Sequence, residues 1–222
     1  SMAWPYYAEN IWKATPGNGL AAISYSASRV TATVGEGTQV TIAQTTQYPF
    51  DGTVSLAIET ATPVQFPLYL RVPDWCAQPA LSINGTARPV EGRGRSFIRI
   101  DREWKQGDVV ELILPMEVTV KRWERQHNSA SVNYGALSFS VKIGEEYITF
   151  GGTEKWPARE IVPTTDWNYG LVLDEADPRA SFEVVTRAWP ANDMVFTHEG
   201  TPVQLRARVK QIPDWTDTGM GL

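Results

Sequence analysis

From Leu68 to Trp123, apolar and polar positions alternate in short runs separated by turn residues, the period-two signature of half-buried strands. The runs read LYLRVPDWC, LSINGTARPV and SFIRIDREWKQGDVVELILPMEVTVKRW. Asn84-Gly85 stands between two of them, and both residues tolerate the positive φ of a type I′ turn, so the pair predicts a hairpin. Gln106-Gly107-Asp108 marks the next turn, with Phe97, Ile98 and Ile100 answering Val109, Val110, Leu112 and Leu114 across it.

The same pattern extends in both directions. Expected strands are Leu20 to Tyr25, Arg29 to Val34, Gln39 to Gln47, Gly52 to Glu59, Gln65 to Val72, Ala80 to Asn84, Ser96 to Asp101 and Val109 to Arg122. Eight strands with short loops suit a β-sandwich of the jelly-roll kind. Residues 4–15, WPYYAENIWKAT, predict the one helix: Pro5 suits a first helical position, and Tyr7, Ile11 and Ala14 share a face. The run from Thr15 to Gly19 ends it. The polar stretch Glu124 to Ser131 marks a boundary. A second strand set follows at Ser131 to Tyr134, Leu137 to Ile143, Glu146 to Gly151, Gly170 to Leu173, Ser181 to Thr186 and Val203 to Val209. The link from Gly152 to Asn168 is long enough to be functional or wrapped against a neighbour. The expected chain is all-β: a short helix and linker over 1–19, a first sandwich over 20–123 and a second over 124–222. The echo between Arg71-Val72-Pro73-Asp74-Trp75 and Gln211-Ile212-Pro213-Asp214-Trp215 reads as a shared way of ending a strand, since Pro cannot donate to a ladder.

Composition narrows the function classes. Of 222 residues, 42% are hydrophobic and 20% charged, which describes a globular protein. A net charge of −5 without a lysine and arginine cluster argues against a nucleic-acid partner. No apolar run reaches the ~20 residues of a membrane-spanning helix. Ser1-Met2-Ala3 reads as a cloning remnant, so the native beginning is expected upstream, and no compartment (secreted, periplasmic or cytoplasmic) is selected. TDTGMGL, at the other end, lacks apolar period and reads as native tail or truncation point.

Candidate chemistry is thin. A lone Cys76 excludes an internal disulfide and any multi-thiolate metal site, and its ordinary role is a small buried hydrophobe. His127 and His198 are distant in sequence, in polar segments. Aromatic residues reach 11%, including nine Trp, and aromatic faces suit sugar rings as well as cores. Trp156, Trp167, Tyr169 and Trp189 are the candidate carbohydrate-binding residues, with core or interface packing as the alternative for each. Metal-free glycoside hydrolysis needs two carboxylates about 5–9.5 Å apart, and Glu154, Glu160, Asp166 and Asp174 around the long loop are the nearest candidates.

Three pieces of the chain resemble the C-terminal part of the β-L-arabinofuranosidase-like glycoside hydrolases, a bacterial family once of unknown function. WPYYAENIWKATPGNGLAA (Trp4 to Ala22) resembles the last barrel helix and following strand, and QYPFDGTVSLAI (Gln47 to Ile58) a Tyr-Pro-aromatic-Asp-Gly strand. LRVPDW, SINGTA and REWKQGDVVELILPM (Leu70 to Met116) are similar to its first sandwich; NYGAL and DWNYGLVL extend the likeness downstream. The resemblance implies a missing N-terminal (α/α)6 barrel carrying a zinc-bound cysteine thiolate. Nothing here corresponds to that cysteine, and Cys76, after LRVPDW, cannot inherit its role.

Three functions follow as expectations: a non-catalytic accessory region that braces its own barrel, shapes the cleft or mediates homodimer contacts; a carbohydrate-binding module; or an independent glycosidase using a carboxylate pair. The first leaves no catalytic group, metal or cofactor in this chain, the zinc belonging to the barrel.

Overall fold

The computed structural model describes residues 3–216. Strands dominate, with one helix, α1 (Ala3–Glu9), and one 3-10 turn (Pro178–Ser181). The chain forms two compact units: the first runs as far as Glu117 and includes Tyr134–Leu137, and the second takes Val118–Asn133 and the chain from Ser138 onward.

The first unit holds β1 (Trp12–Thr15), β2 (Gly19–Ala22), β3 (Ser28–Val34), β4 (Thr38–Thr46), β5 (Thr53–Thr60), β6 (Val64–Val72), β7 (Ala80–Ile83), β8 (Thr86–Arg88), β9 (Ser96–Trp104) and β10 (Val109–Ile113). They make a four-stranded sheet, β1-β2-β6-β9, and a six-stranded sheet, β3-β4-β5-β10-β7-β8. Every other side chain of β5 is buried, so Val54, Leu56 and Ile58 point inward while Ser55 and Ala57 do not. Phe66, Leu68 and Leu70 of β6 and Trp104 of β9 face the same core, together with Val40 and Ile42 of β4 and Leu112 of β10. Each such side chain contributes about 1.5–3 kcal/mol of burial, which makes this core the main stabiliser of the unit. Trp104 is fully buried, and its indole N–H donates to the Phe66 carbonyl at 3.0 Å, so its polar atom is not stranded.

The turn expected at Asn84-Gly85 is present: φ is 52° and 74°, and Ile83 pairs with Thr86 across it. Asp108 then ties that turn to the next. Its carboxylate accepts from Asn84 Nδ2 at 2.8 Å and from the Lys105 backbone N–H at 2.9 Å, while Asn84 Oδ1 accepts from the Val109 N–H.

Four expectations need correction. The strands flanking Gln106-Gly107-Asp108 do not pair across it: β9 pairs with β6 in the four-stranded sheet, and β10 pairs with β5 and β7 in the six-stranded one. The helix ends at Glu9 and not at Thr15: Ile11 is buried, its carbonyl accepts from the Ile23 and Ser24 N–H groups, and Trp12–Thr15 pairs with Gly19–Ala22. Ladder pairing there outweighs the helical periodicity of the segment. The strand expected from Val109 to Arg122 is broken between Ile113 and Val118, where Pro115 has no N–H to donate. The link from Gly152 to Asn168, read as loop, contains a strand over Pro157–Pro163.

The second unit contains β11 (Val118–Trp123), most of β12 (Ser129–Tyr134), β14 (Glu145–Gly152), β15 (Pro157–Pro163), β16 (Tyr169–Leu171), β17 (Phe182–Thr186), β18 (Val203–Ala207) and β19 (Val209–Gln211); β13 (Leu137–Phe139) lies where the units meet in sequence. Its sheets are small: β14-β15, β16-β19 and β17-β18 are two-stranded ladders. Val118, Val132, Pro202 and Val203 are the buried apolar residues of this unit among those described. Of the tail TDTGMGL, residues 217–222 lie outside the described residues, as do Ser1 and Met2.

Candidate functional site

The chemistry-bearing residues of the first unit gather where β6 ends. Tyr25 donates its hydroxyl to the Arg71 carbonyl at 2.6 Å. Tyr48 meets Tyr25 edge-on, with centroids 5.9 Å apart, and stacks on Trp75 at 6.4 Å with 19° between the planes. Burial raises the Tyr25 phenol far above its usual range, although the Arg71 charge opposes this; Tyr48 is raised for the same first reason. Cys76 lies beside them, fully buried. Burial pushes its thiol up, the Gln78 backbone works against this, and Glu117 adds to the rise. At neutral pH Cys76 is therefore a protonated thiol, the form that neither attacks carbon nor binds a metal well. Among the described residues no three His, Cys, Asp or Glu side chains converge in a way that could hold a metal ion. The residues present do not fit a thiolate–zinc centre.

The expected carbohydrate-binding residues all fall in the second unit, on three different pieces of chain. Trp156 closes the β14–β15 hairpin and is 74% exposed, its backbone N–H and carbonyl both bonded to Thr153. Trp167 and Tyr169 share one short half-buried segment, where Tyr169 pairs with Gln211. Trp189 donates its indole N–H to Asp193 at 2.7 Å, next to a shallow cup of about 550 Å³ lined by Pro190, Asn192, Met194, Thr197 and Glu199. Trp156, the Trp167–Tyr169 segment and Trp189 do not share a strand pair.

The four loop acids differ. Glu154 and Glu160 are exposed on the hairpin, and Asp166 accepts from Gln211 Nε2 at 3.0 Å. Asp174 accepts from the Ala176 and Asp177 N–H groups, which hold its carboxyl below the ordinary range. That carboxylate braces a turn, and a general acid would need the opposite shift. His198 sits 3.4 Å from Glu145.

Sequence reasoning missed several exposed aromatic residues of the second unit, among them Tyr147 at 50%, Phe150 at 71% and Phe196 at 79%. The signal was available for Phe150: it precedes Gly151-Gly152, a pair that ends a strand and leaves a bulky neighbour little cover.

Fold and site together define an all-β chain of sandwich-like sheets. Residues 19–116 match the family model described as the GH127 middle domain of β-L-arabinofuranosidase. Solved structures are similar too, among them the following three. A GH127 β-L-arabinofuranosidase from Geobacillus stearothermophilus T6 shares 22% identity with a TM-score of 0.53, over 70% of this chain and 31% of that one. A protein described as a glycoside hydrolase shares 20% at 0.52, over 87% and 32%. A GH127 β-arabinofuranosidase shares 21% at 0.51, over 73% and 30%. The matched region thus spans about a third of each of those structures. No curated protein matches the sequence. The segment 19–116 is a GH127-like β-sandwich region.

Proposed function

We propose that this chain is the non-catalytic β-sandwich region of a glycoside hydrolase of the β-L-arabinofuranosidase type, bracing a separate catalytic barrel. The observation that carries this reading is the middle-domain match over 19–116, in a unit whose interior is filled by apolar side chains. The protonated, enclosed Cys76 supports it too, because a nucleophilic cysteine needs an accessible thiolate. Cleft shaping and contacts between subunits are further roles this frame could serve. A zinc ion, if the parent enzyme uses one, belongs to the barrel.

The test is direct. The purified 222-residue chain, given aryl β-L-arabinofuranoside, should release no more phenol than a blank, while the full-length gene product should turn it over. Turnover by the 222-residue chain alone overturns the proposal; its loss in Glu160→Gln or Asp166→Asn would assign it to the loop acids.

A second reading, glycan binding, draws support from the exposure of Trp156. Titration with arabinan fragments should then give saturable heat that Trp156→Ala removes, and a flat isotherm retires it.

A further inference from the structure

The β14–β15 hairpin is a two-stranded ladder with no third strand on either edge among the described residues. Seven residue pairs register it, from Glu145↔Pro163 to Gly152↔Pro157, with a bulge at Phe150, so it reaches about 23 Å from its base. The base is pinned: Thr164 N–H donates to the Gly144 carbonyl, and Gly144 N–H donates to the Thr165 hydroxyl. Beyond the base, large apolar side chains stand in solvent on both faces. Tyr147 and Ile161 pair on one face and are 50% and 56% exposed; Ile148, on the other, is 44% exposed.

A bare two-stranded hairpin is marginal in water, and stability normally comes from a third strand or a packed neighbour. The unit around it supplies little, with four buried apolar residues among those described. Exposed apolar side chains, Tyr147 and Ile161 on one face and Ile148 between Glu146 and Glu160 on the other, suit a strand pair held against protein. Its charges are four acids, Glu145, Glu146, Glu154 and Glu160, against Lys155 and Arg159, so a receiving surface would carry a basic rim. The structures similar to this chain have about two-thirds of their length outside the matched region, which is polypeptide enough to supply that surface.

We propose that the β14–β15 hairpin is a docking arm that inserts into an apolar, basic-rimmed surface belonging to the rest of the same polypeptide. This rests on the reading of the chain as part of a longer glycoside hydrolase. The occupant is that remainder, in preference to a second copy or a glycan.

Hydrogen–deuterium exchange tests it on unaltered protein. Amides of Tyr147–Thr149 and Arg159–Ile161 should exchange at least tenfold more slowly in the full-length gene product than in the 222-residue chain. In the full-length protein, Tyr147→Ser with Ile161→Ser should remove that protection while the β5 and β6 amides stay slow. Equal exchange in the two proteins overturns the arm and leaves the accessory reading intact. Protection that grows with the concentration of the 222-residue chain assigns the arm to a second copy, and protection gained on adding arabinan fragments assigns it to a glycan; either result overturns the proposal. A full-length product with no domain beyond these residues sinks the accessory reading itself.

Discussion

Asp108→Asn is the most informative single change in the first unit. The wild-type carboxylate is buried and accepts two hydrogen bonds, from Asn84 Nδ2 and from the Lys105 N–H, with the Arg102 guanidinium 3.6 Å away. The amide keeps the shape but turns one accepting oxygen into a donor that faces another donor. One charge-assisted bond is lost, worth about 1.5–3 kcal/mol, and one buried donor is stranded, so a loss of about 2–3 kcal/mol is expected at pH 7. With a urea slope of about 1–3 kcal/mol per molar, the midpoint should fall by roughly 1–2 M. Burial by itself would raise the carboxyl, but the Asn84 and Lys105 hydrogen bonds and the nearby Arg102 and Lys105 charges outweigh it and hold it below its usual range. The folded group therefore titrates lower than the unfolded one. Its contribution is complete above the unfolded value of about 3.9 and drains away as pH falls through the folded value. Urea titrations of both proteins at pH 7, 5 and 3 should show the gap intact at the first two and narrowed at the third. A deficit under about 0.5 kcal/mol at pH 7, or one unchanged at pH 3, refutes the clamp.

Gly52→Ala should destabilise the first unit toward the upper end of the ~1–3 kcal/mol that overpacking costs, because a Cβ there would lie 2.0 Å from the Leu114 carbonyl oxygen; thermal unfolding checks it. Trp104→Phe should cost about 2 kcal/mol by leaving lost volume and an unpaired Phe66 carbonyl, read by urea unfolding followed through circular dichroism. Cys76 should react with a disulfide reagent at pH 7.5 at least a hundredfold more slowly in native protein than in urea, and fast native labelling would show the thiol is not enclosed.

What could be read from the sequence was local. Asn84-Gly85 and Gln106-Gly107-Asp108 placed their turns because those residues encode backbone geometry by themselves, but only the first closes a hairpin; the second passes the chain from one sheet to the other. The alternation along β5, β6 and β9 likewise placed Leu56, Leu68 and Ile100 inside. What escaped depended on partners far along the chain. Trp12–Thr15 looks helical until Ala22 is seen beside Trp12, and Pro157–Pro163 carries two prolines that argue against a strand unless its partner is known. The candidate sugar residues shared a composition but not a place: a count of tryptophans cannot say that Trp156 and Trp189 stand on separate elements.

The β2–β6 pairing has a consequence for how the molecule comes together. It is parallel, and it joins Leu20 to Leu68, about fifty residues on, whereas β3, β4 and β5 meet through short reversals. Closing so long a loop costs entropy before any contact repays it, so the meander should organise early and the leading hairpin should dock late. Whatever polypeptide precedes that hairpin would then be held in place only at the final stage of assembly, as a keystone sets the arch it completes.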